Sequence, residues 1–287
     1  MNHLAFSPRE LGGKDSPFLL TIEEWHKFAK YLNDWMSEPT SIDQVKEAIY
    51  HIRDGIFKQN WDRLITTSAF RRLVEESMAT KLIIREKCRF WDNGGRKDIL
   101  ILSQNIVAFA DMITIKYYND LNQINLEAQD GKLSPNTKAK FINICKDLSS
   151  HAQTYYQQSQ SMETSLSQLY SEIQKHEDTV QNWSYLRSQL ALRTSDDLAV
   201  AQHTNLYLVI PVEHSVKYKE NVLPVIRKVH RIWGSISYDL KELADNIEDI
   251  KNLEAFVAAL ELELAFEDWK AIRDEAENFY KNAENFS

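Results

Sequence analysis

Glu23-Glu24-Trp25-His26 sets a carboxylate and an imidazole three residues apart. On a helix that spacing lets both reach one ion of a di-iron pair inside a four-helix bundle. Such a centre needs a second copy of the motif and further inward-facing glutamates, and the chain offers neither. The eight histidines are dispersed, and none forms the HExxH arrangement of a zinc hydrolase. Cys88 and Cys145 show no metal-type spacing; they could pair with each other, but two free thiols are the expectation. Gly94-Gly95 lacks the GxGxxG or GxxxxGK pattern that would wrap a phosphate, and reads as a helix-ending turn. No serine elbow or cysteine-protease signature occurs. Asn182-Trp183-Ser184 matches a glycosylation sequon, but Trp183 falls on an apolar seam described below, so the match is read as chance. No catalytic centre, metal or cofactor is therefore expected, and the chain reads as a non-enzyme.

The elements that carry these residues follow from composition. The 287 residues are 43% hydrophobic and 26% charged, enough for a sizeable core and too apolar for a disordered chain. Only seven glycines and six prolines occur, and a chain poor in breakers favours long helices. A formal charge of -8 argues against a phosphate-backbone binder, so no nucleic-acid partner is expected. The first 15 residues are polar and hold Pro8, Gly12 and Gly13, without the apolar core of a secretory signal. No unbroken apolar run reaches the ~18 residues that span a bilayer. The best stretch, Asp98 to Ile115, contains Asp98, Gln104, Asn105 and Asp111, so the free chain is expected to be soluble.

Thr21 opens a helix with Glu23 and Glu24 in its first turn and Trp25, Phe28, Leu32 and Trp35 on one side. Pro39 ends it, and Ser41 can cap a second helix from Asp43 to about Ile56. A third runs through Phe70, Leu73, Met78 and Ile84 to Trp91, where Asp92-Asn93-Gly94-Gly95 is expected to stop it. From Asp98 to about Leu126 apolar residues again recur at three and four, and Gly131 with Pro135 marks a break.

No glycine or proline lies between Asn136 and Ile210. Steps of four and three from Phe141 pass Cys145, Leu148, Ala152, Tyr155, Ser159, Met162, Leu166, Leu169, Ile173, His176 and Val180 to Trp183. Only Ser159 and His176 are poor seam residues, and His176 reads as a register-setting polar residue in a coiled coil. At ~1.5 Å per residue this seam is roughly 65 Å long. A second seam runs through Val222, Ile226, Val229, Trp233, Ile236, Leu240, Leu243, Ile247 and Ile250. Two such helices joined by a short connection can pair antiparallel. The connection carries one apolar run, Leu206-Tyr207-Leu208-Val209-Ile210-Pro211-Val212, which reads as a short segment packed on the seam or as an apolar tip for a membrane or partner. The last helix sets Ala265, Trp269, Ile272, Ala276 and Phe279 on one stripe.

Two C-terminal stretches, VIRKVHRIWGSISYDLKELADNIEDI and LELELAFEDWKAIRDEAENFYKNA, resemble the alpha-xenorhabdolysin family, in particular the B-type subunit of those binary toxins. The shared features are Ile232-Trp233 leading into Asp239-Leu240 and Leu243, then Ala265, Trp269, Ala276 and Ala283. The likeness covers the C-terminal third, and the long central helix agrees in character only. The family is similar to the cytolysin A class of α-pore-forming toxins, which implies a helical tail bundle, a coiled-coil neck, an apolar head, and lysis after assembly with a second subunit. In this chain the short run Leu206 to Val212 stands in place of a head.

The fold expected is all-α: an elongated helical bundle with a long antiparallel coiled-coil hairpin. Its parts would be a flexible N-terminus (1–17), a tail bundle (18–135 and 213–287), a neck helix (136–192) pairing with 213–251, and a short tip (193–212). The function expected is that of a soluble component of a multi-subunit pore-forming toxin, acting by assembly and membrane contact. Leu206, Tyr207, Leu208, Val209 and Ile210 would touch the membrane or partner, and Trp233, Leu240, Leu243 and Trp269 would form the packing seam. A second helical toxin subunit and the target-cell membrane are the expected partners, in a hetero-oligomer. Release to the extracellular space without a classical signal peptide would precede action at the host membrane. The alternative is a coiled-coil interaction or scaffold protein with no membrane role. The 98–118 helix, with one broad apolar side, is a second candidate for rearrangement on assembly.

Overall fold

The structure is a computed structural model that describes residues 5–11, 21–52, 55–181, 197, 199–201, 204, 212–250 and 252–284. Among these the regular structure is entirely helical. The helices are α1 (Ile22–Ser37), α2 (Ile42–Ile52), α3 (Gly55–Leu64), α4 (Ser68–Phe90), α5 (Arg96–Asp111), α6 (Tyr118–Gln129), α7 (Pro135–Gln181), α8 (Val212–Asn246), α9 (Leu253–Ala258) and α10 (Leu262–Glu284). Local chemistry sets several of their ends. Thr21 and Glu24 exchange hydrogen bonds with each other's backbone N–H, a capping box that opens α1 and gives Glu24 a structural role. Ser41 Oγ accepts from the Gln44 N–H to start α2. Ser134 Oγ accepts from the Thr137 N–H, with Pro135 in the first turn of α7 where its missing N–H costs nothing. Gly131, at φ 70°, closes α6: the Lys132 N–H donates to Glu127 O and the Gly131 N–H to Ala128 O.

The sequence expectation of a turn at Asp92-Asn93-Gly94-Gly95 is corrected. Trp91–Gly95 is π-helical and joins α4 to α5 without a turn, and a second π-helical stretch, Met112–Lys116, follows α5. Gly95 serves packing: a Cβ there would stand 2.3 Å from Cε3 of the buried Trp91 ring. Gly94 has open space where its Cβ would be. The expected single helix from Asp43 to Ile56 is also corrected to α2 and α3.

The chain divides into two compact units, Met1–His26, Arg96–Thr164 and Asn221–Ser287 in the first, Lys27–Gly95 and Ser165–Glu220 in the second. This differs from the expected tail bundle of 18–135 with 213–287, because an apolar stripe shows that a helix face is covered without showing by what. In the first unit α5 packs chiefly on α10, and α6 on α9. Its centre is aromatic: the Phe109 ring lies 5.0 Å from Trp233 and 5.1 Å from Trp269, and Tyr155 lies 5.0 Å from Trp233. The N-terminal residues described are not a loose tail, as 1–17 had been read. Ala5, Phe6 and Leu11 are buried, and the Trp269 indole N–H donates to the Phe6 carbonyl at 2.7 Å. A buried indole N–H needs an acceptor, and this segment supplies it, while Arg9 pairs with Asp239.

In the second unit Val45, Ile49, Trp61, Leu64, Phe70, Leu73, Val74 and Met78 form one core with Val200 and Ala201. Trp35 meets His176 edge-on at 5.6 Å, and Phe28 meets Trp91 at 6.0 Å. Lys81, wholly buried, reaches Glu38 at 2.7 Å.

Candidate membrane-contact and packing surfaces

The pairing of α7 with α8 in the first unit can be read residue by residue. Ser149 Oγ donates to the Ser237 carbonyl at 2.8 Å, and Ser237 Oγ returns a bond to the Ser149 carbonyl at 3.1 Å. Lys138 bonds Glu248 at 2.6 Å, the Tyr156 ring lies 4.6 Å from His230, and Arg227 Nε reaches Glu163 at 2.9 Å. Rising numbers on one helix meet falling numbers on the other, so the two run antiparallel. Gly234 is what lets Tyr156 close in, since a Cβ there would meet its ring at 3.0 Å.

Burial follows the heptad steps. Along α7 the seam residues from Phe141 to His176 are buried, and Ser159 is satisfied locally by donating to the Tyr155 carbonyl at 2.8 Å. Along α8 the seam from Val222 is buried through Leu243 and on to Ile247 just beyond the helix end, while Ile250 is half-buried. Ile144, Ser149 and Tyr170 are buried beside the α7 seam, so the covered stripe is wider than that of a two-stranded coil and suits a bundle. Trp233, Leu240, Leu243 and Trp269 are all buried in the first unit, with Trp233 and Trp269 nearly parallel at 6.4 Å.

Leu206, Tyr207, Leu208, Val209 and Ile210 lie outside the described residues, as does Trp183. Just before that run, Asp197, Val200, Ala201 and Thr204 are buried in the second unit. Arg63 pairs with Asp197, and Thr204 Oγ1 donates to the Val200 carbonyl at 2.8 Å. This part of the expected tip, 193–212, is therefore core rather than exposed end. The polar string that precedes Val200 hid it, because a short helical segment gives too few turns for a period to show.

Exposed apolar side chains add surface that the seams did not mark. On α4, Leu82, Ile83 and the 58%-exposed Phe90 line a cleft with Glu86, Ser165 and Gln168. On the first unit, Ile101 and Ile115 on and just after α5, Leu126 on α6 and Leu264 on α10 are exposed. The signal was available as apolar residues falling off the core stripe of an amphipathic helix. Within the continuous helix Ser68–Lys116 an 18-residue window reaches a mean hydropathy of 1.5, with 44% of it buried, a length and composition that the core helix of a soluble protein also shows.

Cys88 and Cys145 are free and buried. Burial, with Asp92 nearby, pushes the Cys88 thiol up to about 12, and burial raises Cys145 as well, so both stay protonated near neutral pH. Among the described residues no group of three or more His, Cys, Asp or Glu side chains is placed to hold a metal ion.

Comparison with models of known protein families gives no match, and neither does comparison with curated proteins. Among solved structures the chain is similar to a Bacillus cereus HblL1 toxin component, at 13% identity and a TM-score of 0.46, over 92% of this chain and 93% of that one.

Proposed function

We propose that this chain is a soluble component of a multi-subunit α-helical pore-forming toxin, acting by assembly and membrane contact without chemistry of its own. The observation that carries the reading is the antiparallel register of α7 on α8, from Lys138 with Glu248 to Glu163 with Arg227. A long helical hairpin makes the residues that join its arms a natural point of contact, and those residues include Leu206 to Ile210. The sequence of α8 to α10, with its resemblance to B-type alpha-xenorhabdolysin subunits, supports the same reading. The partner is then a second helical subunit, and the working location is a target-cell membrane. The driving force is exchange: apolar stripes packed within one chain are traded for contacts with subunits and lipid, which makes the soluble form metastable.

Substitution of Val209 or Ile210 by Asp tests the assignment of the connecting run. Each variant is expected to keep its far-ultraviolet circular dichroism and thermal midpoint while losing vesicle lysis by more than tenfold, because a carboxylate opposes entry into lipid. Lysis at the level of the unsubstituted protein would remove that run from the mechanism.

A further inference from the structure

We infer that Arg96–Lys116, comprising α5 and the π-helical stretch after it, is a lipid-contacting helix held against α10 in the structure. The inference rests on the membrane-acting reading above and names a bilayer-facing segment other than the Leu206–Ile210 run. Its 16 α-helical and 5 π-helical residues extend roughly 30 Å at ~1.5 Å per residue, the thickness of a hydrocarbon core. Asp98 and Asp111 are the only charged residues between Lys97 and Lys116. The ends carry what an interface favours, Arg96 and Lys97 at one and Lys116, Tyr117 and Tyr118 at the other.

Around its circumference this helix is apolar over a broad side, where Ile99, Leu102, Ile106, Phe109, Ala110 and Ile113 are buried. Asp98, Gln104, Asn105 and Asp111 fall on the remaining side, interspersed with Ile101, Ala108 and Ile115, of which Ile115 is 66% exposed. The polar residues line both edges of that side with apolar ones between them, an arrangement that suits a helix with lipid against its broad face and water opposite. The two hydroxyls on the broad side are satisfied within the helix: Ser103 Oγ donates to the Leu100 carbonyl at 2.7 Å, and Thr114 Oγ1 to the Ala110 carbonyl at 2.7 Å. Neither would need water in hydrocarbon.

The hold on the helix is identifiable. Phe109 packs 5.1 Å from Trp269, and Arg273 Nε on α10 donates to Asp111 at 2.6 Å. One π-helical stretch, Trp91–Gly95, precedes the segment and another, Met112–Lys116, forms its last five residues, and π-helical stretches are among the places where helices kink. On a membrane the segment leaves α10, lays its broad side in the acyl chains and keeps Asp98, Gln104, Asn105 and Asp111 toward water.

A reducible tether tests this. In the Asp111→Cys, Arg273→Cys double variant, a disulfide-containing bis-maleimide bridges α5 to α10, while the buried Cys88 and Cys145 stay unlabelled. The probe is release of a trapped dye from phosphatidylcholine–phosphatidylserine vesicles, with the chain alone and with the product of any neighbouring gene. Bridged protein is expected to float with the vesicles yet release dye at least tenfold more slowly, and reductant is expected to restore the rate. Release by the bridged protein at the unbridged rate would overturn the role of α5 and leave the toxin reading standing. No release by the unsubstituted protein under either condition would overturn both.

Discussion

Lys81 shows how the second unit uses charge. Burial lowers its pKa while Glu38, 2.7 Å away, raises it, so burial and partner oppose each other. Taking both ions out of water costs several kcal/mol, which their attraction barely recovers. Replacing both residues together by Met should therefore change unfolding free energy by less than about 1 kcal/mol or raise it, whereas Glu38→Ala alone removes a carboxylate partner of the buried ammonium and should cost about 3 kcal/mol. Urea denaturation of the two variants checks the contrast. Neither residue was legible in the sequence, because a lysine on an amphipathic helix normally reads as solvent-facing. Burial, by contrast, shows in the sequence: Trp233, Leu240, Leu243 and Trp269 lie in apolar stripes that repeat at steps of three and four, and all four are buried.

At the scale of the element, Gly94 and Gly95 separate two roles that composition cannot. A dipeptide of glycines ordinarily ends a helix, yet here the helix continues as a π turn and only Gly95 lies under the Trp91 ring. Gly95→Ala is expected to destabilise by about 1–3 kcal/mol through overpacking. Gly94→Ala meets nothing within 4 Å and should be neutral or stabilising by up to about 1 kcal/mol. Equal thermal midpoints for the two variants would show that Trp91 does not constrain Gly95. The turn was misread because the requirement for glycine came from a ring contact one helical turn back rather than from the backbone. Helix starts fared better, since the box of Thr21 with Glu24 and the cap at Ser41 act within a few residues of sequence.

Across the whole molecule, the all-α class followed from scarce breakers and two long seams, both visible in the chain. The division into two units was not, because α1 to α4 carry apolar stripes that could equally have covered either end of α7. The buried Phe6 carbonyl that accepts from Trp269 was hidden for a related reason: a polar-looking N-terminus holds a buried Phe6 whose carbonyl finds its donor near the other end of the chain. The apolar run Leu206 to Ile210 and the broad, buried side of α5 are the two apolar stretches whose use depends on what the assembled protein meets. The proposal assigns both to a bilayer and makes their exposure a step of assembly.

Dye release from phosphatidylcholine–phosphatidylserine vesicles, measured together with flotation, tests that assignment most directly. The chain is expected to float with the vesicles, and to release dye alone or together with the product of any neighbouring gene that encodes a helical protein. Failure to float or to release, across neutral and anionic compositions and with that partner added, would contradict a membrane role and favour a helical scaffold.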